Sequence, residues 1–231
     1  ALKVNNNVKL VPLFKDEIKA GAVGLEGDSD IVFQMLLDYA YKNQINIDMT
    51  GCKVTVSNTI FLNKPQHPRK LLLIKNGWIV KENGGLLFDS PPKNAGSGGG
   101  YRFVDTVFEG VEGTELTLFD SKIIRVYLDA CEFYNVDNVF KSFDNKHYLQ
   151  SIYVTNAYIV GGKGHVFDSF NGYDILFDSS LVEHRTNYMR IDTPHSVRTT
   201  NSVIEGMTGY VYRGKYGRSL VFDDNYLEAN C

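Results

Sequence analysis

A short pattern that recurs about every 23 residues is the feature of this sequence that most restricts its fold. Each copy has a short residue that is polar in seven of the eight copies, then a small residue, an outward-facing residue and a large apolar residue. The copies are Asn58-Thr59-Ile60-Phe61, Asn76-Gly77-Trp78-Ile79, Asp105-Thr106-Val107-Phe108, Ala130-Cys131-Glu132-Phe133, Asn156-Ala157-Tyr158-Ile159, Ser179-Ser180-Leu181-Val182, Asn201-Ser202-Val203-Ile204 and Asp224-Asn225-Tyr226-Leu227. Their starts are separated by 18, 29, 25, 26, 23, 22 and 23 residues. Such a period is typical of a solenoid, in which each repeat stacks on the next.

Two further strand patterns lie between these copies. One is a Phe-Asp-Ser-like repeat, found as Leu87-Phe88-Asp89-Ser90, Leu118-Phe119-Asp120-Ser121, Phe140-Lys141-Ser142 and Phe167-Asp168-Ser169, with weaker copies at Arg190-Ile191-Asp192-Thr193 and Tyr212-Arg213-Gly214. The other is an apolar strand at Ile124–Leu128, Ile152–Val154, Tyr173–Phe177 and Leu220–Phe222. Three short strands and three turns need roughly 20 to 25 residues. The sequence therefore predicts an all-β chain, a right-handed parallel β-helix of about seven or eight coils.

Stacking of coils predicts columns of like residues. Thr106, Cys131, Ala157, Ser180 and Ser202 should form an inward column of small residues, and Phe108, Phe133, Ile159, Val182 and Ile204 a column of large ones. The short polar residue before them suits a sharp bend, because Asn and Asp tolerate unusual backbone angles. Chance alternation in a β-sandwich is the alternative, but a sandwich has no reason to keep three strand types in a fixed order.

The N-terminal part differs from the repeats. Residues 1–20 are polar and mixed, so we interpret them as a lead-in segment. Within residues 21–53, Ile31, Met35 and Tyr39, and beside them Val32, Leu36 and Ala40, recur at four-residue intervals and predict one helix over 29–42, with Asp28 or Ser29 as its N-cap. Residues 54–231 form the predicted β-helix. No capping segment follows Leu227, so we expect the last coil to be truncated or covered by a partner.

The opening of residues 21–62 resembles a known family. Gly21-Ala22, Gly27-Asp28 with Asp30, the amphipathic helix, Lys53-Val54-Thr55-Val56 and Ile60-Phe61-Leu62 are similar to the N-terminal signature of the pectate-lyase-like superfamily, although Asp28-Ser29-Asp30-Ile31 replaces its usual Gly-Asp-Gly and Asp-Asp-Thr elements. This opening is common among bacteriophage tail spikes. The resemblance implies that the helix caps the open end of the β-helix. It also implies a homotrimer, because tail spikes of this superfamily usually trimerise.

Composition excludes several other classes. The net charge is −3 and no basic stripe stands out, which argues against nucleic acid as a partner. The longest apolar runs, such as Leu71-Leu72-Leu73-Ile74, are too short to insert into a membrane. Cys52, Cys131 and Cys231 form neither a disulfide framework nor a zinc motif, which fits synthesis in a reducing host cytoplasm. The glycine-rich stretches at 91–100 and 161–164 lack the ending of a phosphate loop. No cofactor or metal is predicted.

Candidate catalytic residues come from one column. Glu183, Glu205 and Glu228 occupy the same position of successive coils, and Glu109 has the same offset. If the register holds, adjacent carboxylates would stand about 5 Å apart, which suits a retaining glycosidase. An exposed column of charges that keeps the face soluble is the alternative. For β-elimination, which needs a base and a cation, the candidates are His184, Arg185, Arg190, His195 and Arg198.

The outward residues of the first repeat suggest a partner. They are Trp78, Val107, Glu132, Tyr158, Leu181, Val203 and Tyr226, and all but Glu132 are apolar or aromatic. We name this set the outward row. An isolated monomer rarely exposes such a row, so another chain or a sugar should cover it. Trp78, Tyr158 and Tyr226 are accordingly predicted as trimer contacts or as glycan contacts.

These features predict a phage tail-spike or tail-fibre protein of the virion that binds, and with catalytic carboxylates would also depolymerise, a bacterial surface polysaccharide. Its other partners would be virion tail proteins. Two alternatives stay open: a non-enzymatic shaft or adaptor, and a bacterial polysaccharide lyase. The resemblance does not decide between them, because the same fold carries many functions.

Overall fold

The chain winds into a parallel β-helix in which each coil contributes three strands. The computed structural model describes residues 16–229 except 26, 29, 64–70 and 92–97. All strand pairs within these residues are parallel, and each joins one coil to the next, as in Phe108 with Phe133. The described residues contain about eight coils, which confirms the predicted fold class with its single N-terminal α-helix.

The strands stack in three ladders. The first ladder contains Gly27–Asp28, Lys53–Val56, Trp78–Lys81, Val107–Gly110, Glu132–Tyr134, Tyr158–Val160, Leu181–Glu183, Val203–Met207 and Tyr226–Ala229. The second contains Ile60–Phe61, Gly85–Asp89, Leu116–Asp120, Asn138–Lys141, the first parts of Phe167–Asp178 and Met189–Thr200, and Tyr212–Arg213. The third contains Glu17–Lys19, Asn46–Asp48, Leu72–Lys75, Gly98–Val104, Ile123–Asp129, Leu149–Thr155, the later parts of the same two long strands, and Leu220–Asp223.

The predicted columns of the first ladder are confirmed. Phe108 pairs with Phe133, Phe133 with Ile159, Ile159 with Val182 and Val182 with Ile204, and all five side chains are fully buried. The small residues are buried beside them and connect the coils, since the Ser180 hydroxyl accepts the Ala157 N–H and the Ser202 hydroxyl accepts that of Ser180. The small side chains therefore leave room for these bonds between coils.

Phenylalanines dominate the core of the second ladder. The rings of Phe88, Phe119, Phe140 and Phe167 stack with centroids 5.1, 5.0 and 5.7 Å apart. Ile60 pairs with Phe88, so Asn58-Thr59-Ile60-Phe61 belongs to this ladder and its assignment to the first repeat is wrong. Lys53 and Val54 occupy the first-ladder position instead, which removes the anomalous 18-residue interval. The copy at 190–193 is displaced by two residues, because Phe167 pairs with Met189 and Asp168 with Arg190.

The corner between the third and first ladders explains the recurring polar residue. Asn76, Asp105, Ala130, Asn156, Ser179, Asn201 and Asp224 all have positive φ, between 47 and 57°. Asn and Asp tolerate this left-handed region better than other side chains. Asn156 also donates to Asp129 of the preceding coil at 3.1 Å, and Asn201 to Asp178 at 2.9 Å. The bend and the bond between coils therefore favour the same residue types.

The one α-helix among the described residues, Asp30–Asn43, covers a strand edge near the N-terminal end of the β-helix. Gln34 accepts the Phe61 N–H at 2.7 Å and donates to the Phe61 carbonyl at 2.9 Å, which satisfies both backbone groups at that edge. The Asp30 carboxylate accepts the N–H groups of Ser57 and Asn58. These bonds fasten the helix to the turn that precedes the second ladder.

The buried face of this helix differs from the prediction in part. Phe33, Leu36, Leu37, Ala40 and Tyr41 are buried, at i, i+3, i+4, i+7 and i+8. Ile31 and Met35 are exposed, at 75% and 40%, so these two predicted residues do not face the core, whereas Val32 and Tyr39 are partly buried against it. Four-residue spacing alone follows a line that drifts around the helix, because a turn has 3.6 residues.

Several predicted segments lie partly or wholly outside their expected elements or outside the described residues. Residues 17–19, assigned to the lead-in segment, pair with 46–48 in the third ladder. Ser29 and the centre of the 91–100 stretch lie outside the described residues. In the described part of the chain, no helix is long and apolar enough to cross a membrane.

Candidate functional site

A groove runs along the β-helix at the corner where the first ladder leads into the second. Its central part has a volume of about 640 Å³ and lies between the turns at 112–115, 135–138 and 162–165. A second part of about 650 Å³ adjoins it on the N-terminal side. Glu115 and Lys141 line both parts, so the two cavities adjoin each other, and we call them together the corner groove.

Three charged side chains of the second ladder, Asp120, Lys141 and Asp168, line the corner groove, and the column to which they belong continues beyond it. Asp120, Lys141, Asp168, Arg190 and Arg213 pair in register from coil to coil. Arg190 forms an ion pair with Asp168 at 2.5 Å, and Lys141 lies 3.6 Å from Glu115. Since successive coils are about 4.8 Å apart, the three members that line the groove place charges over roughly 10 Å. This geometry suits an extended ligand more than a compact one.

Hydrogen bonds between coils hold the wall of the groove in place. The Asp137 carboxylate accepts the Leu116 N–H at 2.8 Å and the Lys163 N–H at 2.7 Å, which joins the turns of three coils. Gly162 has a φ of +95°, and a Cβ there would stand 2.3 Å from the Val136 carbonyl oxygen. The glycines at 161–164 therefore form a turn that lines the groove, in agreement with their interpretation as a turn.

A buried arginine lies beneath this wall. Arg185 is 1% exposed and donates to the Val136 carbonyl at 2.7 Å and to the carbonyls of Asp137 and Gly161 at 2.5 Å each. Burial lowers the pKa of Arg185 to about 10, and the nearby Asp137 carboxylate acts in the opposite direction. The guanidinium therefore carries a charge at neutral pH and fastens the groove wall to the coils below.

His165, which lines the groove, contacts a tyrosine of a later coil. His165 Nε2 lies 2.6 Å from the Tyr210 hydroxyl, and His165 Nδ1 lies 3.7 Å from Asp168 Oδ2. Burial is the largest cause that lowers the pKa of His165. Burial raises the pKa of Tyr210, against the opposing charges of Arg190 and Arg213. A neutral imidazole beside a protonated phenol can exchange a proton with it.

The predicted glutamates lie on the outer face of the first ladder, away from the corner groove. Glu183 and Glu205 are register partners, as the sequence suggests. Glu228 follows a bulge between Ile204 and Met207, so it lies opposite both Glu205 and Gly206. The strict column therefore contains Glu183 and Glu205, with Glu109 paired to Tyr134 farther along it.

The outward row lies on the same face, and its aromatic residues bond to carboxylates. Tyr158 donates to Glu183 at 2.5 Å, Tyr226 donates to Glu228 at 2.9 Å, and the Trp78 indole donates to Glu109 at 2.8 Å. Lys53 lies 3.9 Å from the centre of the Trp78 ring. Trp78 and Tyr226 are exposed, whereas Val107, Tyr158, Leu181 and Val203 are half-buried. The two sets of predicted residues thus form one surface.

Of the five residues considered for β-elimination, Arg190 alone lies in the histidine–tyrosine cluster. Arg185 is buried beneath the wall, and the His195 ring stacks on Tyr173 at 4.5 Å. His184 and Arg198 are exposed elsewhere. In the part of the chain that the structure describes, no group of three or more His, Cys, Asp or Glu side chains could hold a metal ion.

Sequence reasoning missed His165, Tyr210 and the groove itself. The charged column could have been predicted from the sequence, because the residue after each Phe of the second repeat is charged. These residues are Asp89, Asp120, Lys141 and Asp168. The walls of the groove could not have been predicted in this way, because the turns vary in length and composition. Only the coil register brings His165 next to Tyr210, which lies 45 residues later.

Comparison with known proteins supports the fold. No protein-family model matches the chain, and no curated protein matches it. The crystal structure of the tailspike protein of Acinetobacter baumannii phage AM24 is similar, with a TM-score of 0.72 at 11% sequence identity. The match covers 93% of this chain and 45% of the tailspike, so this chain spans about half of that protein's length. At this identity the similarity shows the shared fold alone.

Proposed function

We propose that this chain is the polysaccharide-binding β-helix of a bacteriophage tail spike, carried in the virion tail, and that it holds a bacterial surface glycan in the corner groove. The observation that carries this proposal is the continuity of the groove over consecutive coils. Each coil contributes polar and charged side chains to it, at a spacing of about 4.8 Å. A linear chain of polar repeating units matches such a channel. The similarity to a phage tailspike supports the proposal from the side of the fold.

The openness of the groove also favours a polymer. Pockets for small ligands enclose most of the ligand in an apolar cavity with few polar groups. Here the walls are turns, and the polar groups include Asn138, Lys141 and Lys163. A long glycan can enter such a channel from the side.

Binding to a panel of capsular polysaccharides and O-antigens tests the proposal. Lys163→Glu reverses an exposed charge in the groove wall, and Lys146→Glu makes the same change at an exposed site outside it. We expect at least one glycan to bind, with more than tenfold weaker affinity for Lys163→Glu and unchanged affinity for Lys146→Glu. If no glycan of the panel binds, or if both variants bind equally well, the shaft or adaptor becomes the better account.

The outward row carries a second proposal, that the protein is a homotrimer with its three β-helices side by side. Exposed Trp78 and Tyr226 and the half-buried members between them extend over about 30 Å. Closed symmetry would give each copy of this row a partner. We expect sedimentation to show a trimer at micromolar concentration. A monomer with the fluorescence of a solvated Trp78 would contradict it and favour a glycan on this face. In the trimer, other virion tail proteins would attach outside the outward row.

The glutamates give a prediction of their own. If the protein hydrolyses its glycan with the carboxylates of the first ladder, replacement of Glu183, Glu205 or Glu228 by Gln should lower the release of reducing ends by at least 100-fold. The register pairing of Glu183 with Glu205 motivates this, because glycosidases use two neighbouring carboxylates. Glu132→Gln, on the same face, is the control. Full activity in all three variants would rule out this site.

A further inference from the structure

The charges of the corner groove restrict the kind of glycan that it can hold. Among the described residues, five carboxylates and three lysines line the groove. His165 also lines it, and burial is the largest cause that lowers the pKa of this side chain, so the imidazole is uncharged at neutral pH. The lining therefore has no excess of positive charge that would attract a polyanion.

The two lysines on the floor of the groove already face carboxylates of the chain itself. Lys141 lies 3.6 Å from Glu115. Lys122 Nζ lies 3.3 Å from Asp89 Oδ1 and 3.3 Å from Asp120 Oδ2, so it bridges two neighbouring coils. A carboxylate or phosphate of a ligand would have to displace one of these partners or give up its water without a free cation. Either change costs free energy.

Two buried carboxylates of the groove are also engaged within the chain. Asp168 forms an ion pair with Arg190, and the Asp137 carboxylate accepts the N–H groups of Leu116 and Lys163. A polycation would therefore gain little from either of them. The internal pairing of both signs of charge favours an uncharged ligand.

Uncharged polar groups remain for a ligand in both parts of the groove. Asn83 is exposed in the N-terminal part, and Asn135 is exposed in the central part. A side-chain amide offers two donor hydrogens and an acceptor oxygen, which match the hydroxyl and acetamido groups of sugars. Lys163 is exposed on the wall and can donate to a sugar hydroxyl, a role that its replacement by Glu would remove.

An exposed aromatic ring adds an apolar contact. Phe143 lines the N-terminal part of the groove and is 55% exposed, and Lys141 Nζ lies 5.4 Å from the centre of its ring. The C–H face of a pyranose is apolar and can bury against such a ring. An aromatic ring next to amide groups thus provides both kinds of contact that an uncharged sugar makes.

We propose that the corner groove is selective for a neutral polysaccharide, whose sugars stack on Phe143 and hydrogen-bond to the exposed amides. This inference rests on the proposed function, because it specifies the ligand of the same groove. The ligand class is a chain of uncharged hexoses or N-acetylhexosamines without carboxylate, phosphate or sulfate groups.

A matched pair of ligands tests the selectivity. The first is a neutral glycan that binds in the panel, and the second is the same glycan after oxidation of its primary hydroxyl groups to carboxylates. Hyaluronan and alginate are the anionic reference polymers. We expect the glycans that bind to be neutral, and the oxidised form to bind about tenfold more weakly than its parent or worse, because its carboxylates find no free cation.

The dependence of affinity on salt gives a second readout. We expect the affinity for the neutral glycan to change by less than about twofold between roughly 50 and 500 mM sodium chloride, because salt screens only charges. Calorimetric titration at both concentrations measures the change. A loss of about tenfold at the higher concentration would show that charges carry the binding, against the inference.

Phe143→Ala tests the aromatic contact, with Phe170→Ala as its matched control. Phe170 is 37% exposed and lies outside the groove lining, so the control removes the same atoms from another exposed site. We expect the affinity to fall about tenfold or more for Phe143→Ala and to stay at the wild-type value for Phe170→Ala. Wild-type affinity of Phe143→Ala would contradict the stacking contact.

The outcomes separate this inference from the proposed function. If the glycans that bind are polyanions, or if the oxidised glycan binds as tightly as its parent, selectivity for neutral chains is wrong and glycan binding stands. If no glycan of the panel binds, the proposed function fails, and this inference fails with it.

Discussion

Replacement of Arg185 by Met is expected to lower the free energy of unfolding by about 3–5 kcal/mol. The guanidinium is fully buried, and it satisfies carbonyl groups of three residues in the turns of two preceding coils. Its removal would leave those acceptors unpaired and would take an opposite charge away from the Asp137 carboxylate, which is 7% exposed. Urea unfolding followed by circular dichroism measures the change.

Two variants control for the loss of an arginine. Arg198→Met removes an exposed arginine and should change the free energy of unfolding by less than about 0.5 kcal/mol. Arg185→Lys keeps the charge, but a lysine cannot donate to three carbonyls as the planar guanidinium does. Its free energy of unfolding should therefore lie between those of Arg185→Met and the wild-type protein. A stable Arg185→Met protein would show that the buried charge fixes the position of the turns without stabilising the fold.

Replacement of Phe133 by Ala should cost about 3–5 kcal/mol, from lost burial and from the cavity left behind. Phe133 is fully buried, and its ring stacks on Phe108 with centroids 5.3 Å apart. Phe108→Ala should cost a similar amount for the same reason. Phe143, which is 55% exposed, gives the matched control, since Phe143→Ala removes the same atoms from the surface. Thermal and urea unfolding would both report the difference. Equal stability of Phe133→Ala and Phe143→Ala would contradict the column as a source of stability.

The repeat predicted the fold well because the physics of stacking acts on every coil alike. Inward positions such as Phe108 and Phe133 must be apolar, and the bend before them needs residues that accept positive φ. Those constraints are local and periodic, so one sequence displays them. The errors occurred where periodicity fails. Asn58-Thr59-Ile60-Phe61 imitates the first repeat but stacks in the second ladder.

The candidate site was harder to predict, because it depends on contacts between turns of different coils. The alternation of Glu183 and Glu205 with inward residues is visible in sequence, and their pairing was predicted. Nothing in the spacing of His165 and Tyr210 marks them as neighbours. The bulge at Gly206, where φ is +63°, also places one extra residue opposite Glu228, and no hydrophobic pattern records it.

The separation between invariant ladders and variable turns has a consequence for how such a protein can change. The turns at 112–115, 135–138 and 162–165 line the corner groove, while the strands on either side keep their pairing regardless of turn length. Because each coil contacts only its neighbours, an exchange of one turn disturbs at most the adjacent coils. The residues that line the groove can therefore be replaced one turn at a time, by natural mutation or by protein engineering. New ligand preferences require new turns on an old scaffold.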